Sequence, residues 1–113
     1  MEKRRAKRRN IIYYLRVFER NTDLLVGQLV DITTSGMRLV SEKPVDPDTF
    51  YQLRMVLPEE IDQKKEITFD VKSMWCKRDV NPDFYTIGFE FEDVSTDDIK
   101  IIKNLIYDFS FRD

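Results

Sequence analysis

Two short segments hold the residue types and spacings that could do chemistry: Arg4-Arg5-Ala6-Lys7-Arg8-Arg9 near the start, and Asp31-Ile32-Thr33-Thr34-Ser35-Gly36 further along. The first is a cluster of cations that by itself says only that something negative is attracted, its guanidinium groups being suited to bidentate pairing with anions. The second sets a carboxylate, a hydroxyl and a glycine at fixed offsets in a turn, adding hydrogen bonding and close backbone approach. Together they read as an anion-binding arm and a shaped cradle for a small charged ligand with readable base edges. Each segment alone has a plainer reading. A basic head can be a solvated tail, and an Asp-x-Thr-x-x-Gly stretch can be only a turn, with Asp capping an amide and Gly supplying a positive φ.

Composition excludes much else. The chain has 113 residues, no histidine and a single cysteine, Cys76. That removes the usual zinc constellations, the Cys/His and Ser/His nucleophile systems, an imidazole proton shuttle and an intrachain disulfide. Enzymatic chemistry would rest on carboxylates alone, and Glu59-Glu60, Asp62 and Asp97-Asp98 read as loop and helix-cap acids without a partner nucleophile or metal. No enzyme, cofactor or metal is therefore expected. The three glycines are dispersed, so no phosphate-cradling loop of the nucleotide-hydrolysing kind is present. No apolar run is long enough to span a membrane or serve as a signal-peptide core, which makes the cytoplasm the expected location.

Charge is split along the chain. Six basic side chains against Glu2 give the first nine residues +5, so the remainder of a chain totalling −2 carries −7. An acidic body repels a polyphosphate backbone, which argues against broad nucleic-acid binding and leaves room for a small anion where arm meets body.

These residues must be positioned by strands. Ile11 to Phe18 and Leu24 to Ile32, rich in β-branched and aromatic residues, flank the turn-forming Asn21-Thr22-Asp23. Gly36 to Ser41 is a third strand, ended by the Pro44 to Asp48 stretch. Phe50 to Leu57 alternates, with Tyr51, Leu53, Met55 and Leu57 on one face. Ile67, Phe69, Val71, Ser73 and Trp75 repeat the alternation, as do Tyr85, Ile87, Phe89 and Phe91. This phase sends Trp75 into the core and Cys76 to the opposite face. The period then changes: Ser95 to Asp98 offers an N-cap and first-turn acids, and apolar residues recur at helical spacing over about 96–110. Six short strands favour a closed antiparallel barrel, because closure removes exposed edges, with the helix covering one end. The expected organisation is a flexible arm over 1–10 and a mainly β barrel domain over 11–113.

The order of an Arg-x-x-x-Arg head (Arg4 to Arg8, Arg5 to Arg9), a strand hairpin, the Asp31/Thr33/Gly36 turn, Trp75 and then Gly88-Phe89-Glu90-Phe91 resembles the PilZ domain family over almost the whole chain. The resemblance implies a six-stranded barrel that receives the bacterial second messenger cyclic di-GMP and relays its level to an effector protein. The site it implies is Arg4, Arg5, Arg8, Arg9, Asp31, Thr33 and Gly36, with Thr33 where the family usually has Ser. On this reading the arm becomes ordered over the dinucleotide and Asp31 accepts hydrogen bonds from a guanine Watson-Crick edge. Thr33 donates to a ligand oxygen, and Gly36 allows backbone approach. Two other readings stand beside it: a PilZ-like interaction module without useful ligand affinity, and a small nucleic-acid-binding barrel using the basic arm. The wide apolar stripe of the helix, Ile99, Ile102, Leu105, Ile106 and Phe109 extended by Ile101 and Phe111, also offers a surface for the core, an effector or a homodimer.

Overall fold

The computed structural model describes residues 15–61 and 63–109. Six strands run β1 (Arg16–Glu19), β2 (Leu25–Ile32), β3 (Gly36–Ser41), β4 (Phe50–Ile61), β5 (Lys64–Arg78) and β6 (Tyr85–Asp93), followed by helix α1 (Thr96–Phe109). They close into a barrel in the order β1-β2-β3-β6-β5-β4, with every neighbouring pair antiparallel. The expected six-stranded antiparallel barrel with a C-terminal helix is therefore the architecture found. Residues 1–10, the expected arm, and 11–14, the start of the expected first strand, lie outside the described residues.

Alternation builds the core. Leu53 and Met55 of β4, Ile67, Phe69 and Val71 of β5, and Leu39 of β3 all point inward and are buried. Ser73 continues that inward row as a buried hydroxyl that is fully used: it donates to the Asp46 carbonyl (2.7 Å) and accepts from the Thr49 amide (3.1 Å), pinning the β3–β4 connection. Helix α1 starts where expected, with Ser95 Oγ accepting the Asp98 amide at 3.1 Å. Its buried stripe, however, is centred on Ile101, Ile102 and Leu105, which join the barrel's own core, while Ile99 and Ile106 are only partly buried. Lys64 at the start of β5 ties the helix down through an ion pair of 2.6 Å to Asp98, whose side chain is 6% exposed.

Three local departures from simple alternation matter. First, β4 continues past Leu57 to Ile61 and β5 begins at Lys64, so Glu59 and Glu60 belong to a strand and not to a loop. Pro58 is tolerated there because the ladder is interrupted between Val56 and Ile61. Asp62 lies outside the described residues.

The second and third are β-bulges on the strands flanking the β3–β6 pair. On β2 the register shifts between Leu29 and Asp31, leaving Val30 as the extra residue. On β5 it shifts between Ser73 and Trp75, leaving Met74. Each extra residue resets the phase of everything after it. Trp75 is thus turned off the core face, and Cys76 packs against the core in its place. Both expectations for these residues are corrected by that single inserted residue.

Candidate functional site

The two bulges align four residues in one row across four strands. Asp31 on β2 faces Arg38 on β3, Arg38 faces Gly88 on β6, and Gly88 faces Trp75 on β5. Were Val30 an ordinary residue of strict alternation, inward Leu29 would put Asp31 into the core two residues later; because Val30 is a bulge residue, Asp31 is half-buried on the outer face and Ile32 returns inward. Arg38 is outward because Met37 and Leu39 on either side are buried. The row lines a cavity of about 280 Å³ together with Thr33, Gly36 and Met74. Asp31 and Arg38 are its charged members, and the Arg38 Nη2 donates to Asp31 Oδ2 at 3.4 Å. Gly88 is the floor: a Cβ there would run into the Trp75 indole, so the absence of a side chain is what lets the ring lie over the strand. Lys77 Nζ sits 5.1 Å from the indole centroid, within cation–π range.

The turn between β2 and β3 is held by its own hydroxyl. Thr33 Oγ1 accepts the amides of Ser35 (3.1 Å) and Gly36 (3.2 Å), while the Thr33 amide donates to the Gly36 carbonyl at 2.8 Å. That is a side chain satisfying the donors a tight turn leaves over. Gly36 has no positive φ, so the turn reading that gave it one does not apply. It is glycine because a Cβ would collide with the Phe89 carbonyl oxygen as β3 comes up against β6.

The structure thus brings Asp31, Thr33 and Gly36 together at one cavity. Arg4, Arg5, Arg8 and Arg9 lie outside the described residues. Leu15, the first described residue, gives its carbonyl to the Leu29 amide at 2.8 Å, two residues from Asp31. Sequence reasoning passed over Arg38, although its place two residues after Gly36, between inward Met37 and Leu39, was readable as outward and next to the turn.

Among the described residues two titrations are displaced, and both belong to residues outside the cavity lining. Burial pushes the Tyr51 hydroxyl up, with Asp46 and then Cys76 adding to the effect. The Thr86 hydroxyl, donating at 2.7 Å, holds the Asp79 carboxyl below the ordinary range, assisted by the Asn81 amide. Among the described residues no group of three or more His, Cys, Asp or Glu could hold a metal ion, and no helix is long and apolar enough to cross a membrane.

The sequence model of the PilZ domain matches residues 2–108. Among solved structures, the Bacillus subtilis inhibitor of motility (MotI/DgrA) is similar in fold, with a TM-score of 0.62 at 13% identity. The match covers 86% of this chain and 46% of that one, so the chain spans about half the length of that relative. No curated protein sequence matches.

Proposed function

Because this chain belongs to the PilZ domain family, whose members are in general receptor modules for cyclic di-GMP and not enzymes, we propose that it takes up that dinucleotide in the cavity between Asp31 and Trp75. The observation that carries the reading is the row Asp31, Arg38, Gly88 and Trp75 beside the Thr33–Gly36 turn. A planar base can stack on an indole ring, and Trp75 lines the cavity. The Asp31 carboxylate accepts the N1–H and N2–H donors of guanine. Thr33 shapes the turn that holds Asp31 in place. Arg4, Arg5, Arg8 and Arg9 supply the cations for the two phosphates.

On this reading the protein is a non-enzymatic receptor. Closure of the arginine head over the ligand changes the surface offered to a partner protein, which is how the level of the messenger is passed on. An effector role accords with the similarity to a protein described as an inhibitor of motility.

The test is isothermal titration of cyclic di-GMP into the wild-type chain, Arg9→Ala and Asp31→Ala at near-physiological salt, with GTP as control. Saturable binding to the wild type, weakened at least tenfold in both variants and absent with GTP, supports the receptor. No heat with a folded wild-type protein favours the ligand-independent interaction module. Salt-steep binding to generic DNA or RNA without preference for the cyclic dinucleotide favours the nucleic-acid binder.

A further inference from the structure

We propose that Arg38 is a specificity-determining residue which, paired with Asp31, reads the O6 atom of guanine and rejects adenine. The inference rests on the reading of the cavity as a cyclic di-GMP site and adds a residue and a role to it.

Arg38 and Asp31 are cross-strand partners on β3 and β2, both line the cavity, and their side chains meet at 3.4 Å. A carboxylate and a guanidinium side by side present acceptor, acceptor, donor along one edge. Guanine offers the complement along its Watson-Crick edge: the N2–H donor, the N1–H donor, then the O6 acceptor. Adenine places an N6–H donor where O6 would be and a lone pair at N1. The same pair of side chains then meets donor with donor and acceptor with acceptor. Mismatches of this kind, with polar groups left unpaired, discriminate far more strongly than shape alone.

The pair has the capacity for this. Contact with Asp31 goes through one terminal nitrogen, the guanidinium has five N–H donors, and the Arg38 side chain is 48% exposed. Each carboxylate oxygen has two lone pairs, so Asp31 Oδ2 can accept from Arg38 and still face the base beside Oδ1. Arg38 also has a fixed approach, since its backbone is held between β2 and β6, as a specificity contact requires. The ion pair between two part-exposed side chains contributes little to folding, so the residue can be changed without loss of the barrel.

The experiment compares wild type with Arg38→Met, which keeps the aliphatic reach and loses the donors. The probes are cyclic di-GMP, cyclic di-IMP and cyclic di-AMP, with the last measured by competition. Cyclic di-IMP keeps N1–H and O6 but lacks the 2-amino group. The variant should lose about tenfold or more on cyclic di-GMP and cyclic di-IMP alike, while its affinity for cyclic di-AMP stays level or rises, narrowing the discrimination. Equal loss on all three would make Arg38 a phosphate clamp and overturn the proposal, as would no loss on any. If the wild type takes up none of them, the cavity reading itself fails and takes this role of Arg38 with it. Matching thermal melts of the two proteins confirm that the comparison is between folded chains.

Discussion

The Trp75 indole occupies the space that a side chain on residue 88 would need: Trp75 and Gly88 are register partners on β5 and β6, and a Cβ on Gly88 would strike the ring. The ring's place on the outer wall of the barrel therefore depends on a residue thirteen positions further along the chain.

Gly88→Ala follows directly. The methyl group has to displace the indole, at a cost of about 1–3 kcal/mol by analogy with overpacking elsewhere. Trp75 is the one tryptophan of the chain, so its emission reports the event without labelling. A shifted emission maximum, a lower Tm and roughly tenfold or greater loss of cyclic di-GMP affinity are expected. A variant with wild-type emission would show that the ring is not seated on Gly88.

Met74 gives a less intuitive case. It is the extra residue of the β5 bulge, and its deletion restores strict alternation, with Ser73 inward, Trp75 outward and Cys76 inward. Deleting Met74 should leave a cooperatively melting barrel with Trp75 still outside, at a cost of no more than about 2 kcal/mol. Circular-dichroism melts and the accessibility of Trp75 to iodide quenching measure both. A burial-shifted, quencher-resistant Trp75 would contradict the assignment of the bulge.

Most of the fold was legible in the sequence, for reasons that particular residues make clear. The alternation in Tyr51 to Leu57 and in Ile67 to Ser73, and the Ser95 cap before α1, are local signals, and local signals held. A bulge has no such signature: Val30 and Met74 look like ordinary strand residues, and only the partner strand's register shows that each is one too many. For that reason Trp75 was assigned inward and Cys76 outward. At the site, the Asp31/Thr33/Gly36 turn was readable because its residues are close in sequence. Arg38, two residues past Gly36, is readable as outward beside that turn, whereas Gly88 and Trp75 reach the same cavity through pairing between distant strands, which composition and spacing do not encode. That the Thr33 hydroxyl also accepts the amides of its own turn is a further detail which spacing alone does not show.

Those contacts make Thr33 separable from Ser and from Val. Thr33→Val removes the acceptor of the Ser35 and Gly36 amides. Because the turn is exposed and water can replace the lost partner, the stability cost should be only about 1 kcal/mol. Thr33→Ser keeps the acceptor and should match the wild type in chemical denaturation and in ligand affinity. A Ser variant as impaired as Val would place the importance of the residue in its methyl group.

Asp79 sets a pH dependence away from the cavity. Its carboxyl is depressed by the Thr86 hydroxyl, so its contribution is present above the unfolded pKa and is lost as pH falls through the lower, folded value. Thr86→Val should therefore lower Tm near neutral pH, and the gap to wild type should shrink below about pH 4. A gap that stays constant down to about pH 2 would remove Asp79 from the account.

The most direct test of the central claim, that the ligand base is received on the outer row from Asp31 to Trp75, is titration of cyclic di-GMP followed by Trp75 fluorescence. The account predicts a saturable change in emission, as a base replaces Lys77 on the indole face, with the same midpoint as calorimetry and no change with GTP. Calorimetric binding accompanied by flat Trp75 emission would contradict it.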